Sequence, residues 1–307
     1  MERCDVVIYA HMGQLDVILT AWWFKRQGVP VIWDALVSLY STVVCDRQLV
    51  SPTSVSAQLL RQLDRLSSSV ADGILVDTHQ NRRYWQEEFA VPRKKLRVVN
   101  VGAEDCFARS QRVSSSRGTS TGFSVIFYGK YAPLHGIPTI VRAAHRLKDH
   151  SHIKWILIGK GQQRAEVNAL VKGLRLDNVE LIDWVPYEEI PARIAAANIG
   201  LGIFGSTDKA QRVVPNKAYQ ILAGCRPLVT ADTPAARHVL GKDGPLAARL
   251  VNPGNSRELA TAVADLSVSP GDAAELAEAG FRLYCRHYSS KNIGKQVADI
   301  CEEWVTS

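Results

Sequence analysis

The order of apolar segments along the chain is the feature that most restricts its fold. Short β-branched runs alternate with longer amphipathic or Ala- and Leu-rich stretches over nearly the whole length. Short apolar runs bounded by turn residues are typical of strands that are buried on both faces. Parallel strands need crossover helices, and right-handed crossovers place those helices on the faces of the sheet. The pattern therefore predicts an α/β protein built on parallel sheets.

The predicted strands form two groups along the chain. The first group comprises residues 5–9, 29–33, 73–76 and 96–99. The second comprises residues 124–128, 154–158, 179–182 and 199–203, with helices over 139–148, 164–173 and 189–197 and a further helix from Asn216. Because each group alternates strands with helices, each is expected to form its own layered sheet.

A polar segment at residues 110–122 separates the two groups. It is rich in Ser, Thr and Gly and has no hydrophobic periodicity, which is typical of a linker. A chain of 307 residues with 46% hydrophobic content is long enough for two domains that each bury a core. We therefore predict an N-terminal domain at residues 1–109, a linker at 110–122 and a C-terminal domain at 123–280. Residues 281–307 are expected to form a C-terminal helix that packs back towards the N-terminal domain.

The cysteine pattern and the apolar content exclude several classes of protein. The six cysteines are scattered, without a Cys-x-x-Cys pair, which argues against a zinc site and against a disulfide scaffold. No apolar run approaches the roughly 20 residues that span a bilayer, and the acidic residues near the N-terminus are unlike a signal peptide. A cytoplasmic location is the expectation.

The net charge of +7 is spread over both halves of the chain. The basic cluster at residues 93–97 is short, and no block typical of a nucleic-acid-binding tail is present. A solvated surface is the simplest interpretation of this cluster. Peripheral contact with anionic lipid at the inner face of a membrane, or contact with a phosphate substrate, is the alternative.

Two glycine-containing loops follow neighbouring predicted strands of the second group. In the first loop Gly129 permits close approach to a phosphate, while Lys130, His135 and the helix start after Gly136 supply positive potential. The second loop contains Gly159. Taken alone, each loop is also compatible with an ordinary strand-to-helix connection. Their succession along the chain favours a phosphate-binding edge of the sheet.

Two further segments complete a candidate nucleotide site. Trp184 and Val185 follow a predicted strand, where they offer a flat apolar surface to a base. A core or domain-packing role is the alternative for Trp184. Asn216 and Lys217 begin a helix, whose free N–H groups and added charge suit a diphosphate. Helix capping by Asn216 is the alternative for that position.

Four segments together carry a family resemblance: GKYAPLHG, IGKG, DWVPYEEIPARIAAANIGLGIF and VVPNKAYQILAGCRPLVT. Their order and spacing resemble the C-terminal domain of retaining, group 1 glycosyltransferases of the GT-B type. The resemblance implies two Rossmann-like, doubly wound domains and a nucleotide sugar bound to the second. It places Lys130 and His135 at the family's phosphate-binding Arg and Lys. The family's Glu-x7-Glu pair falls at Arg212 and Gln220, and Gln220 is expected to hydrogen-bond ribose hydroxyls.

The N-terminal half resembles the family less closely. Asp34, Ser38 and Arg47 lie in a segment similar to a D-x-x-x-S-x-Y-x-T element and are the candidates for the acceptor cleft. His11 ends the first predicted strand, near the reaction centre of many relatives, although a structural role is the commoner one for such a residue. We expect a sheet of about four strands that lacks the family's first strand and glycine-rich loop. Exposed strand edges and helix faces would then favour aggregation or a partner that completes the sheet.

The resemblance implies a transferase of polysaccharide or glycoconjugate biosynthesis. A hexose is expected to pass, with retention of configuration, from a donor such as a UDP-, GDP- or dTDP-hexose to a saccharide or lipid-linked saccharide. No Asp-x-Asp motif is present, so neither a metal nor another cofactor is expected. His11 and Asp34 are the catalytic candidates. The rivals are a catalytically impaired sugar-nucleotide-binding protein, suggested by the missing Glu pair, and a GT-B sugar-nucleotide epimerase.

Overall fold

A computed structural model describes residues 4–109 and 122–306, which fall into two compact units. The first unit consists of Met1–Asn100 with Lys291–Ser307, and the second of Val101–Ser290. Residues 101–109, assigned above to the N-terminal domain, therefore belong to the second unit. The predicted linker lies outside the described residues except for Gly122. All six cysteines are free thiols.

The described residues contain ten strands and thirteen α-helices. The strands are β1 (Val7–Tyr9), β2 (Val31–Asp34), β3 (Gly73–Val76), β4 (Leu96–Val98), β5 (Phe123–Tyr128), β6 (Ile153–Ile158), β7 (Val179–Ile182), β8 (Ile199–Leu201), β9 (Leu228–Ala231) and β10 (Arg249–Val251). The helices are α1 (Gln14–Arg26), α2 (Val55–Val70), α3 (His79–Phe89), α4 (Asp105–Arg109), α5 (Ile137–Arg146), α6 (Arg164–Gly173), α7 (Ile190–Ala196), α8 (Asp208–Arg212), α9 (Asn216–Ala223), α10 (Pro234–Leu240), α11 (Ser256–Val268), α12 (Pro270–Leu283) and α13 (Ser290–Val305). π-Helical turns occur at Tyr40–Asp46 and Tyr284–Tyr288.

The first unit is a parallel sheet of four strands in the order β1-β2-β3-β4, which is the strand number predicted. Because this order does not reverse, right-handed crossovers place α1, α2 and α3 on one face. On that face Trp33, Ile74 and Trp85 are fully buried. The other face is covered by α13, whose Ile300 and Trp304 pack against the sheet. That the family's first strand and loop are missing stays a prediction.

The glycine that begins β3 allows α13 to pack closely on the first sheet. A Cβ atom at Gly73 would lie 2.9 Å from the indole ring of Trp304, which is tighter than van der Waals contact. The C-terminal helix therefore seats its tryptophan over a position with no side chain. Packing of this kind joins residues at the two ends of the chain into one unit.

The second unit is a parallel sheet of six strands in the order β10-β9-β8-β5-β6-β7. Its core packs α5, α6 and α11 against one face, with Phe127 and Trp155 fully buried. Helices α7, α9 and α12 contact the other face. The chain winds outwards from β5 through β6 and β7, then returns to the opposite side of β5 at β8. This reversal creates a topological switch point between β5 and β8, where sheets of this class bind ligands.

The predicted elements of the second unit agree closely with the observed ones. The predicted bounds of α6 and β7 are confirmed to the residue. Helix α5 begins at Ile137, two residues before its predicted start, because Gly136 adopts a left-handed conformation and Pro138 occupies the first turn. Among the described residues, no helix has the length and apolar character needed to cross a bilayer.

Candidate nucleotide-sugar site

Two glycines bring the loops after β5 and β6 into backbone contact at the carboxyl edge of the second sheet. Gly129 and Gly159 have φ values of 136° and 138°, a region that residues with a side chain rarely adopt. A Cβ atom at Gly159 would collide with the carbonyl oxygen of Gly129. The main-chain N–H of Gly129 in turn donates to Ile158 at 3.0 Å. The predicted glycine loops therefore lie side by side and expose main chain rather than side chains.

A second backbone contact crosses the switch point itself. The N–H groups of Phe204 and Gly205, just after β8, donate to the carbonyl oxygens of His135 and Leu134 at 3.0 Å. Gly136 is next to this contact and has a left-handed backbone, with φ 64°. A Cβ atom at Gly136 would lie only 2.6 Å from the Gly205 nitrogen, so a side chain would prevent the contact. The loop after β5 is thus held on both sides, by the loop after β6 and by the loop after β8. Such a braced loop is pre-organised for a ligand.

Lys217 is the most unusual charged residue of the second unit. Its side chain is only 5% exposed, and its Nζ has no hydrogen-bond partner among the described residues. The Nζ lies 3.9 Å from the centre of the Phe127 ring, and a Cβ at Gly129 would be 3.0 Å from it. Burial lowers the pKa of Lys217 well below its usual value. A buried amine without a partner, beside a bare glycine, is a site that an anion would complete.

His135 and Lys130 flank the same glycine but in different ways. The His135 Nδ1 hydrogen-bonds the main-chain carbonyl oxygen of Lys130, so Nδ1 carries the proton and Nε2 is directed away from that contact. A Cβ at Gly129 would lie 3.6 Å from the His135 ring. The Lys130 side chain is exposed. The structure therefore brings Gly129, His135 and Lys217 together, with Lys130 at the solvent side.

Asn216 is the first residue of α9, and its side chain is exposed. The capping position is occupied by Pro215, and no side chain caps this helix end. The alternative interpretation of Asn216 as a helix cap is therefore wrong. The preceding helix, α8, is capped instead by Thr207, whose Oγ1 accepts the Ala210 N–H at 3.2 Å.

Gln220 belongs to a hydrogen-bond network that includes a residue missed by the sequence analysis. Its Oε1 accepts the Tyr128 hydroxyl at 2.8 Å, and its Nε2 contacts the Tyr187 hydroxyl at 2.9 Å. The same Nε2 lies 3.3 Å from Glu104, and the Tyr187 hydroxyl donates to Glu104 at 2.6 Å. The Glu104 carboxylate therefore lies next to Gln220, and Gln220 itself occupies the position of the family's second Glu.

Glu104 is exposed, although its carboxylate accepts two hydrogen bonds. Burial acts to raise its pKa, but the hydrogen bonds from Tyr187 and Gln220 outweigh burial, so the pKa of Glu104 is lowered. Glu104 precedes Gln220 by 116 residues and lies next to the polar segment. No local sequence signal connects these two residues.

Trp184 and Val185 follow β7 at the same edge of the sheet. The Trp184 side chain is 68% exposed, so the alternative in which it is a core residue of this unit is wrong. The next residue, Val185, is buried. Asp183 is paired with Arg164 at 2.5 Å, which anchors the chain just before the tryptophan. An exposed indole beside the Tyr187 network leaves a flat surface free for stacking.

In the first unit, His11 and Asp34 lie after β1 and at the end of β2, two adjacent strands. Burial raises the pKa of Asp34 above its usual value, against opposing effects of the Leu36 N–H and of nearby His11. The Leu36 N–H donates to Asp34 Oδ1 at 3.2 Å. The structure therefore brings together the two residues that were predicted separately as catalytic.

Ser38 is not an open acceptor-site residue, contrary to expectation. It is buried, and its hydroxyl donates to Asp64 Oδ2 at 2.8 Å. Asp64 is fully buried and also accepts the N–H groups of Leu39 and Tyr40. A buried carboxylate that organises a turn needs such donors, so Ser38 has a structural role. Arg47, the third candidate, is half-buried.

The sequence of the second unit matches a known family. Residues 122–269, just under half of the chain, match the family model described as "Glycosyl transferases group 1". The chain carries a group 1 glycosyltransferase domain. This domain contains every predicted nucleotide-sugar residue from Gly129 to Gln220, whereas Glu104 lies outside the matched range. A comparison with curated protein sequences finds no match.

Solved glycosyltransferase structures resemble the chain over nearly its full length. Anabaena HepE in complex with UDP-glucose covers 96% of this chain and 78% of its own, with a TM-score of 0.75 and 15% identity. Sucrose-phosphate synthase from Thermosynechococcus elongatus covers 97% and 73%, with a TM-score of 0.71 and 18% identity. A glycosyltransferase from Rickettsia africae covers 99% of both chains, with a TM-score of 0.64 and 11% identity. The fold is therefore that of the GT-B glycosyltransferases, with two Rossmann-like domains.

Within the described residues, no group of three or more His, Cys, Asp and Glu side chains is arranged to hold a metal ion. Positive groups occupy the switch point instead. Lys217 and His135 both lie next to Gly129, and the Lys130 side chain is exposed. The charge at this edge of the sheet therefore suits an anionic ligand.

Proposed function

We propose that the protein is a retaining hexosyltransferase that binds a nucleotide sugar on its second unit. The observation that carries this proposal is the buried Lys217 amine, which has no hydrogen-bond partner and faces the bare backbone at Gly129. Burying an amine without a partner is costly, and the cost is removed when an anion binds beside it. Because residues 122–269 match the group 1 glycosyltransferases, the diphosphate of a nucleotide-sugar donor is the proposed anion.

The donor would extend along the carboxyl edge of the second sheet. Its diphosphate would contact Lys217, His135 and the main chain at Gly129 and Gly159, with Lys130 closing the solvent side. Backbone N–H groups at Asn216 would add to the positive potential. The base would stack near Trp184 above Val185, and the ribose would lie at the Glu104, Tyr187 and Gln220 network. UDP is the first nucleotide to test, since HepE is described in complex with it.

The proposed reaction places the leaving group and the acceptor on the same face of the sugar. The acceptor hydroxyl forms a bond to the anomeric carbon while the bond from that carbon to the diphosphate oxygen breaks. The acceptor's proton passes to the departing diphosphate, and the products are a glycoside with retained configuration and a free nucleoside diphosphate. Lys217 and His135 would stabilise the charge that develops on the leaving group. His11 and Asp34 would orient the acceptor, a saccharide or lipid-linked saccharide.

Transfer with retention, and in the presence of EDTA, is the expected result when the protein is given UDP-hexoses and a panel of saccharide acceptors. Proton NMR of the product reports the anomeric configuration. An inverted product, or activity that requires added divalent metal, would contradict the proposal.

Asp34→Asn is expected to lower kcat by at least about tenfold while leaving UDP affinity unchanged, because Asp34 lies outside the nucleotide site. The exposed Asp177→Asn serves as the matched control.

A second candidate is a sugar-nucleotide-binding protein without transferase activity. It is favoured by one observation, the presence of Arg212 and Gln220 where the family has two carboxylates. The same assay separates the two candidates. Tight UDP binding without hydrolysis or transfer across the donor panel would favour the binding protein.

Glu104 is expected to recognise the ribose of the donor. Its carboxylate has lone pairs left after accepting from Tyr187 and Gln220, and ribose hydroxyls are donors that can use them. Glu104→Gln should weaken UDP binding by about 10- to 100-fold, the usual range for a hydrogen bond to a charged group. Binding of 2′-deoxy-UDP should change much less. Calorimetry with both nucleotides measures the difference, and the exposed Glu166→Gln is the control. An equal loss for both nucleotides would contradict the ribose assignment.

A further inference from the structure

The first unit carries most of the exposed apolar side chains of the described residues. Ten of the fifteen large hydrophobic side chains that are exposed lie between Ile8 and Leu66. Surface apolar residues that are scattered singly need no explanation, but a concentrated group marks an interaction surface. Most of this group lies on two neighbouring helices, α1 and α2.

Helix α1 is apolar on two opposite sides. Its inner side buries Val17 and Ala21 against the first unit. Its outer side presents Leu15, Leu19 and Trp22, at spacings of four and three residues, with exposures of 59%, 65% and 54%. These spacings align the three side chains in one stripe along the helix. A helix of this composition is normally covered on both sides.

Helix α2 repeats the arrangement beside it. Its inner side buries Ala57 and Ser67, while Val55, Leu59 and Leu66 are exposed by 72%, 64% and 51%. The positions 55, 59 and 66 again fall on one side of a helix. The two helices pack against each other, and the Ser67 hydroxyl donates to the main-chain oxygen of Gln14 at 3.1 Å. We call the two stripes together the outer face of α1 and α2.

Positive charges border this outer face. The exposed charged residues of the two helices are Lys25, Arg26, Arg61 and Arg65, against the single acidic residue Asp16. Arg26 continues the α1 stripe by one turn, and its guanidinium lies 4.9 Å from the centre of the Trp22 ring. Lys25 and Arg61 are also paired with acidic groups, at 2.7 Å each. Arg26 and Arg65 are therefore the two cations of these helices that form no ion pair among the described residues, in a chain whose net charge is +7.

We propose that the outer face of α1 and α2 docks onto an anionic lipid bilayer. Leucines would enter the boundary between headgroups and acyl chains, and the adjacent Trp22 and Trp23 would lie at headgroup depth, where indoles are preferred. Arg26 and Arg65 would contact anionic headgroups. The charge pattern favours this occupant over a protein partner, because Arg26 and Arg65 form no ion pair among the described residues and lie on the same helices as the exposed leucines and indoles. The inference does not depend on the donor site, but it would bring the protein to lipid-linked acceptors.

Co-sedimentation of the full chain with vesicles tests the proposal. The protein is expected to bind vesicles that contain phosphatidylglycerol and to bind pure phosphatidylcholine vesicles weakly, with the difference reduced at high salt. The double variant Leu19→Gln, Trp22→Gln should lower the partition coefficient by about tenfold or more, because two apolar side chains are lost. Val268→Gln, which changes an apolar residue 77% exposed on the second unit, is the matched control.

A second measurement locates the indoles. Vesicles with brominated acyl chains should quench the fluorescence of the wild-type protein, and the variant Trp22→Phe, Trp23→Phe should lose this quenching while it still binds. The proposal is overturned if the protein binds neither vesicle, or if the Leu19→Gln, Trp22→Gln variant binds as well as wild type. It is also overturned if light scattering shows an oligomer that this variant dissociates, with no vesicle binding. UDP affinity, measured in parallel, reports the donor site separately.

Discussion

Lys217→Met is expected to abolish measurable UDP binding and at the same time to stabilise the ligand-free protein. Among the described residues, Lys217 supplies the only buried amine beside Gly129. Its loss removes charge-assisted contacts to the diphosphate, so the affinity for UDP should fall by about 100-fold or more. Methionine has a similar shape and needs no hydrogen-bond partner. The free energy of unfolding should therefore rise by about 1–3 kcal/mol, which is the usual cost of burying a polar group without a hydrogen-bond partner.

The pH dependence of stability provides a second test of the burial of Lys217, because its direction can be predicted. Burial lowers the pKa of Lys217 in the folded state, so between that lowered pKa and the ordinary lysine value the unfolded chain holds a proton that the folded chain lacks. Lys217 alone therefore makes the free energy of unfolding rise with pH across that range. Lys217→Met should lack this contribution. Urea unfolding at several pH values measures it.

At a pH above the lowered pKa of Lys217, binding of UDP to the wild type should be accompanied by proton uptake, because a diphosphate next to Nζ favours the charged amine. Calorimetry in two buffers of different ionisation enthalpy reports the number of protons taken up. Lys130→Met, a change at an exposed lysine of the same site, is the matched control and should leave the stability within about 0.5 kcal/mol. Unchanged UDP affinity in Lys217→Met would contradict the assignment of the diphosphate to this amine.

Gly159→Ala is expected to destroy the nucleotide site and to destabilise the second unit. The backbone at Gly159 has φ 138°, and an added Cβ would collide with the carbonyl oxygen of Gly129, a main-chain atom that cannot rotate away. Strain in φ and the displaced loop together should cost about 3–5 kcal/mol of unfolding free energy. UDP binding should be lost, since the loop at Gly129 must move. Urea unfolding and calorimetry measure the two effects.

Gly173→Ala is the matched control for this change. Gly173 ends α6, and no heavy atom lies within 4 Å of a Cβ built there. Alanine in a helix is favoured over glycine by about 0.5–1 kcal/mol, so this variant should be as stable as the wild type or slightly more stable. If Gly159→Ala were equally well tolerated, the close approach of the two loops would not be required for the fold.

The sequence by itself determined the fold class and the order of the loops at the carboxyl edge of the second sheet. Alternating strand and helix segments predicted two parallel sheets, because burial on both faces selects short apolar runs. The bounds of α6 and β7 followed from local pattern and turn residues alone. Gly129, Gly159 and Lys217 were singled out from sequence as candidates and lie close together in the fold, because a glycine loop after a strand and a lysine in the first turn of a helix are local signals.

Only the tertiary structure decided which side chains meet and which remain uncovered. The sequence did not indicate that Glu104 contacts Gln220, since 116 residues separate them and only the fold brings them together. Ser38 is the opposite case: its place in a segment that resembles an element of the family predicted an open cleft, but its hydroxyl donates to the buried Asp64. Exposed helix faces were expected in the first unit, but only the structure identifies the outer face of α1 and α2 among them. Its exposure depends on what packs around those helices, which is a property of the assembled unit and not of the local sequence.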